Sequence, residues 1–155
     1  MFGLRSTMEK VIHPPRASLD FTFTPLANPP VDGRTFIPIR EITLPLKSDG
    51  SVQVRFALIN NTDVPADATQ LALEICIGCK FAKEPKGFTK LEGSLETIRN
   101  YVYGDMPAGG PYPELVVDII PPVSLSAFEI AVGHRCKSCL LARATTKGIV
   151  HIQRN

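Results

Sequence analysis

Apolar and polar side chains alternate at every second residue in several segments of this chain. In the clearest of them, 52–58, every even-numbered residue is apolar, and Gln53 and Arg55 lie between them. A period of two residues predicts a β-strand with one buried face. The chain also contains 14 prolines and 11 glycines among its 155 residues, which favours many turns over long helices. We therefore expect an all-β protein.

The same period predicts about seven strands. They cover residues 17–24, 36–46, 52–58, 70–77, 114–120, 127–135 and 148–153. Pro38 and Pro45 cannot donate to a strand ladder, so the second strand is expected at a sheet edge. Many short strands separated by turns indicate an antiparallel β-sandwich. A chain of this length forms one domain of ordinary size, which we assign to residues 17–155, after an N-terminal arm or linker at 1–16.

Two segments resemble known families. In Ser51–Leu73, an alternating strand, the turn at 60–63, Pro65 and Ala66, and a second alternating strand resemble immunoglobulin-like domains of bacterial surface and accessory proteins. The resemblance covers about two strands and implies an immunoglobulin-like β-sandwich. Leu73–Gly93 is similar to uncharacterised bacterial domains that follow membrane anchors. The residues that match are Cys76, Cys79, Phe81, Glu84, Pro85, Gly87 and Phe88. This second resemblance implies no activity and no catalytic residue.

All four cysteines lie in two pairs, Cys76 with Cys79 and Cys136 with Cys139. This spacing lets both sulfurs of a pair face one side of a tight loop, and two such loops supply the four thiolates that tetrahedral zinc binds. We therefore predict a structural Zn²⁺ bound by all four cysteines. Four protein ligands leave no open position for catalysis. The metal would be a clasp that ties the long stretch 79–113 to the strand end before the second pair.

The zinc hypothesis sets a condition on the topology. Each pair directly follows a predicted strand, 70–77 or 127–135, so the pairs meet only if these strands run in the same direction. Successive antiparallel strands alternate in direction, so an odd number of strands must lie between them. The strand at 114–120 supplies one. Ser94–Tyr103 is therefore expected to be a helix or a loop rather than a second crossing strand.

Other states of the cysteines fit the same spacing. Disulfides within or between the pairs need an oxidising compartment, and residues 1–10 hold no apolar stretch typical of a signal peptide. Redox-active pairs normally begin a helix in a βαβ unit, which the pattern does not predict. Free or iron-binding thiols are the last alternative. His134 could replace one sulfur, but its phase with Phe128, Ile130 and Val132 predicts a histidine at the edge of the core.

Basic residues gather near both cysteine pairs, which suggests a second kind of partner. They are Lys80, Lys83, Lys86 and Lys90 after the first pair and Arg135, Lys137, Arg143 and Lys147 around the second. Together with Phe81 and Phe88 as stacking rings, such a surface is typical of nucleic-acid binding. The alternative is that the cations offset the charge of the zinc thiolates and that the two rings cover the site. A net charge of +2 does not by itself indicate nucleic acid.

The sequence favours a non-enzymatic interaction module that is stabilised by zinc and binds a protein. No glycine-rich phosphate loop follows a strand, and Ser124, Ser126 and His134 lack a nucleophile-elbow pattern. A nucleic-acid-binding module is the first alternative, and a small redox or hydrolytic enzyme is the second. No apolar run reaches the length of about 20 residues that spans a bilayer. We expect a cytoplasmic location, either free or as the soluble part of a membrane-anchored protein.

Overall fold

The computed structural model describes residues 15–26, 35–141 and 143–155. These residues form nine strands. They are β1 (Leu19–Phe23), β2 (Glu41–Pro45), β3 (Val52–Asn60), β4 (Ala66–Glu74), β5 (Lys80–Phe81), β6 (Ile98–Met106), β7 (Leu115–Ile120), β8 (Ala127–Arg135) and β9 (Ala144–Gln153). The predicted arm at 1–16 lies outside the described residues, apart from residues 15 and 16.

The strands form two sheets that pack face to face as a β-sandwich. One sheet has the order β1-β3-β7-β5, and the other has the order β2-β9-β8-β4-β6. All neighbouring strands are antiparallel except β2 and β9, which run in parallel. The second sheet is therefore mixed, which corrects the expectation of a purely antiparallel sandwich. The proline-bearing strand β2 lies at a sheet edge, as predicted.

The core lies between the two sheets and consists of the apolar positions of the alternating segments. In β3, Val52, Val54, Phe56 and Leu58 are all fully buried, whereas Arg55 is exposed. Rings fill much of the centre, and those of β1 at Phe21 and Phe23 lie 4.9 Å apart in an edge-on arrangement. The alternation thus placed the core correctly.

The seven predicted strands are all present, and the structure adds two. β5 has only two residues. β6 has nine and falls where a helix or a loop was expected, so the prediction for Ser94–Tyr103 is wrong. β6 pairs with β4 along most of its length, from Ile98 opposite Glu74 to Met106 opposite Ala66. This extra crossing strand decides where the cysteine pairs lie.

Candidate functional site

The four cysteines form two disulfides and no zinc site. Cys76 is bonded to Cys79 and Cys136 to Cys139, each across a Cα–Cα distance of 5.1 Å. That distance is ordinary for a disulfide. Within the described residues, no group of three or more histidines, cysteines and acidic residues is placed to hold a metal ion. The predictions of a bound Zn²⁺ and of a four-cysteine metal clasp are therefore wrong.

Strand direction explains why the two pairs do not meet. Two full-length strands, β6 and β7, separate β4 from β8 in the chain, so β8 runs in the opposite direction to β4. The two strands are neighbours in the sheet and pair as antiparallel strands. The loops that follow β4 and β8 then leave from opposite ends of the sheet. At about 3.3 Å per residue along the nine residues of β8, the pairs are roughly 20–30 Å apart. Four thiolates at such distances cannot bind one ion.

His134 lies at the edge of the core, as its phase predicted. It is on the inner face of β8 and only 6% exposed. Its Nε2 atom is buried and has no hydrogen-bond partner among the described residues. Burial lowers the pKa of His134, and the Asp20 carboxylate offsets this shift in part. Ser124 and Ser126 lie before the start of β8, whereas His134 is near its end, so no hydrolytic group forms.

An ion pair, rather than a metal, holds the long stretch between β5 and β6. The guanidinium of Arg99 donates from Nε to Glu84 Oε2 at 3.0 Å and from Nη2 to Oε1 at 2.9 Å. Those hydrogen bonds lower the pKa of Glu84. The guanidinium carbon also lies 4.7 Å from the centre of the Phe81 ring. Thr89 and Asn100 exchange two backbone hydrogen bonds of 2.8 Å, which fasten the same stretch to β6.

The outer face of the five-stranded sheet carries a groove of about 360 Å³. Small residues lie at the centre of its floor. Ala72 of β4 is directly opposite Gly133 of β8, and Ala131, two residues before Gly133, faces the same side of the sheet. The neighbours of Ala72 in β4, Leu71 and Leu73, point into the core. These small residues leave a depression in the sheet surface between the longer side chains of Gln70, Glu74 and Arg135.

The side of the groove that β6 forms is apolar. Leu91, Ile98 and Val102 line it, and the side chains of Leu91 and Val102 are 56% and 67% exposed. Leu91 belongs to the stretch that Arg99 and Glu84 anchor, so that ion pair also supports the wall of the groove. An exposed aliphatic wall beside a small-residue floor is typical of a binding surface.

The side of the groove next to β8 and the start of β9 is positively charged. Arg135 and Arg143 line it, and in the described part of the chain neither forms an ion pair. Arg135 donates from Nε to the amide oxygen of Gln70 at 3.0 Å, which holds its guanidinium over the sheet. Glu74 is the one acid among the described residues that line the groove. The groove is therefore suited to a ligand with an aliphatic part and a carboxylate.

The basic residues do not form one nucleic-acid surface. The loops that carry the two groups leave from opposite ends of the sheet, and Lys83, Lys90 and Lys147 each pair with an acidic residue. Arg99 covers the Phe81 ring. Phe88 packs against the Tyr101 ring at 5.2 Å, so neither ring is free to stack on bases. The geometry does not favour nucleic acid.

Comparisons with known proteins show no family. No protein-family model matches the chain, and no curated protein matches it. In the part of the chain that the structure describes, no helix has the length and apolar character needed to cross a membrane.

Several solved β-sandwich structures are similar in shape. AggA, the major subunit of aggregative adherence fimbriae type I from Escherichia coli, is 9% identical, with a TM-score of 0.46 over 92% of this chain and 98% of AggA. A cohesin module of a Clostridium perfringens glycoside hydrolase is 9% identical, with a TM-score of 0.44 over 90% of this chain and 98% of the module. The collagen-binding subdomain of the Enterococcus faecalis surface protein ACE is 13% identical, with a TM-score of 0.36 over 72% of this chain and 93% of the subdomain.

Proposed function

We propose that this protein is a non-enzymatic interaction module that binds an extended segment of a partner protein in the groove on its five-stranded sheet. One observation carries the proposal: Ala72 and Gly133 lie side by side and leave a concave floor between an exposed aliphatic wall and two unpaired arginines. Extended peptides fit such surfaces because their side chains alternate between a groove and solvent.

The charges in the groove indicate the chemistry of the partner segment. Arg135 and Arg143 outnumber the single acid, Glu74, among the described lining residues. Arginine recognises carboxylates through paired hydrogen bonds. Leu91 and Val102 favour an aliphatic side chain on the β6 side of the groove. The occupant is therefore a protein segment with an aliphatic residue and an aspartate or glutamate a few positions away.

A peptide-display selection tests this function. Random heptapeptides are selected on the protein, and bound clones are then screened against a Gly133→Leu variant, whose new side chain fills the floor. A Cβ at Gly133 lies 3.7 Å from its nearest neighbour, Thr145 Oγ1, and no left-handed φ restricts the position, so the variant should fold. We expect selected peptides that combine aliphatic and acidic residues and that bind Gly133→Leu at least about tenfold more weakly.

Two outcomes would contradict the proposal. Peptides that bind the wild-type protein and Gly133→Leu equally do not occupy the groove. Peptides that are rich in lysine rather than acidic residues do not depend on the arginines. An Arg135→Gln variant distinguishes the contribution of the positive charge to binding from that of the groove's shape. It removes the charge, retains hydrogen-bond donors and leaves the floor unchanged. Its affinity for the acidic peptides should fall, and the loss should shrink as the salt concentration rises.

The disulfides suggest where the module works. Cytoplasmic thiols are kept reduced, whereas disulfides persist in oxidising compartments. The sequence predicts a cytoplasmic location. We propose instead an oxidising location, which free-thiol counting on protein recovered from the native host tests directly: blocked cysteines support it, and four reactive cysteines contradict it.

A further inference from the structure

The loop between β4 and β5 presents a disulfide to solvent. Cys76 is partly exposed, whereas Cys79 is only 5% exposed. Between them, Ile77 is 98% exposed, and Gly78 has a φ of 87°, a conformation that glycine adopts readily. Cys76 is thus the more exposed cysteine of the pair, and Cys79 is the more buried one. This asymmetry directs an attacking thiol to Cys76 and makes Cys79 the leaving group.

Cys79 shares a cleft with three cations, of which Arg99 is paired with Glu84 and Lys83 with Asp118. Cys79 lines a cleft of about 420 Å³ with Lys80, Lys83 and Arg99. The acids of the same cleft are Glu84 and Glu96. Lys80 directly follows Cys79, and no ion pair engages it among the described residues. Nearby cations stabilise a thiolate, and a more stable thiolate leaves faster in disulfide exchange.

Exposed apolar side chains lie in this loop and in the connection that packs against it. A Cβ at Gly78 would lie 3.2 Å from Cγ of Pro122, so the loop rests against the connection between β7 and β8. In that connection, Val123 is 92% exposed. Ile77 and Val123 thus present two bare aliphatic side chains close to the disulfide. Such side chains give a partner protein a surface to contact while the sulfurs react.

The second disulfide also has exposed aliphatic neighbours, Leu140 and Leu141, but its loop is held differently, so it serves as an internal comparison. Its order of exposure is reversed, because Cys136 is 7% exposed and Cys139 is more exposed. Its loop is tied to other segments: Lys137 N–H donates to Asp67 at 2.7 Å, and Ser138 Oγ donates to Pro65 at 2.7 Å. Outside the strand ladders, the first loop has two backbone hydrogen bonds in the described part of the chain: Ile75 N–H donates to the Thr97 carbonyl at 2.9 Å, and Cys79 N–H donates to the Cys76 carbonyl at 3.0 Å. Among the described residues, those between the two cysteines have none to another segment.

We propose that the Cys76–Cys79 disulfide is a thiol–disulfide exchange site whose substrate is a dithiol of a partner protein. A partner thiolate attacks Cys76 Sγ and forms a mixed disulfide, while the Cys76–Cys79 bond breaks and Cys79 leaves as a thiolate. The second thiolate of the partner then attacks the partner's sulfur in the mixed disulfide. A disulfide forms within the partner, and Cys76 is released. The partner is oxidised by two electrons, the protein disulfide is reduced by two, and the two partner protons pass to Cys76 and Cys79.

The first test uses the native chain with dithiothreitol as the probe dithiol. Free thiols are alkylated at successive times, and mass spectrometry of the peptides reports each disulfide separately. We expect Cys76–Cys79 to be reduced at least about tenfold faster than Cys136–Cys139, while the circular dichroism spectrum stays that of the folded protein. Equal rates for the two pairs, or reduction of the first pair only after unfolding, would overturn the proposal.

Two variants test the direction of attack and the leaving group. Cys79→Ser leaves one thiol at Cys76, which should form a mixed disulfide with oxidised glutathione; absence of that adduct in the folded variant would contradict attack at Cys76. Lys80→Gln removes an exposed cation and should slow the reduction of the first pair several-fold with no change in melting temperature. An unchanged rate in Lys80→Gln would refute the leaving-group argument. The groove on the sheet is intact in both variants, so peptide binding is unaffected and the two proposals fail separately.

Discussion

Gly148 occupies the place in β9 where the sheet faces the two rings of β1. A Cβ built at this position lies 2.7 Å from Phe21 Cε1, 2.7 Å from Phe23 Cζ and 2.8 Å from Phe23 Cε2. Carbon atoms in ordinary contact are about 3.5–4.0 Å apart, so each ring must retreat by about 1 Å. Both rings are fully buried and touch each other, so neither has free space to move into. Gly148→Ala should therefore strain the core.

The expected loss of stability follows from two opposing effects. Inserting a methyl group into a packed core costs about 1–3 kcal/mol. Replacing glycine restricts the unfolded chain, which returns about 0.4–1 kcal/mol. The net loss for Gly148→Ala is then roughly 1–2 kcal/mol, and it should lower the melting temperature by roughly 2–8 °C for a chain of this size. Urea unfolding followed by circular dichroism measures the free energy, with the slope m unchanged from the wild-type protein.

Gly133→Ala is the matched control, because it makes the same change on the outer face of the neighbouring strand. Its nearest contacts are 3.7–3.8 Å away, which is ordinary packing. The control should be neutral or slightly stabilising. A double variant, Gly148→Ala with Phe23→Leu, removes the outer atoms of one ring and should be less destabilised than the sum of the two single changes. Equal effects at Gly148 and Gly133, or additive effects in the double variant, would refute the overpacking argument.

Three further predictions concern other parts of the sandwich. Because burial lowers the pKa of His134 in the folded state, stability should be constant above pH 6.5 and fall below it by up to about 1.4 kcal/mol per pH unit. Urea titrations should show this fall in the wild-type protein and a smaller one in His134→Leu. Arg99→Met should cost about 1–2 kcal/mol and speed proteolysis within residues 82–97, since it removes two hydrogen bonds to Glu84; an unchanged cleavage pattern would argue against the anchor. Tyr112→Phe removes the hydroxyl that accepts from Asn60 Nδ2 at 3.0 Å, and it should cost about 1–2 kcal/mol in thermal unfolding.

The sequence predicted the strands well because alternation depends only on which face is buried. It missed β6 because Arg99 points inward in line with Tyr101 and Tyr103, so a charged residue stands where the pattern expects an apolar one. Glu84 stabilises that position with two hydrogen bonds, Phe81 with a ring face, and the carbonyls of Glu96 and Ile98 accept from the same guanidinium. A partner such as Glu84, fifteen residues away in the chain, is not visible in a local pattern.

The candidate sites were harder to predict for a related reason. A spacing of two residues between cysteines suits both half of a zinc site and a disulfide within the pair. The direction of the strands before the two pairs decides between these alternatives, because a shared zinc site needs both pairs at one end of the sheet. The groove depends on the register that brings Ala72 opposite Gly133. In the sequence, Gly133 inside the predicted strand 127–135 is the feature that indicates a close approach of another backbone.

The parallel pair of β2 and β9 has a consequence for how the chain reaches its folded state. Glu41 is paired with Ile149, about a hundred residues further along, and β9 lies between β2 and β8 rather than at an edge. The ordering entropy of so large a loop must be paid before its contacts form, and folding slows as contacts become less local. During synthesis, β2 lacks its pairing strand until β9 leaves the ribosome. In that interval the nascent chain exposes the apolar faces that β9 later covers, which makes this stage the natural point for a chaperone to act.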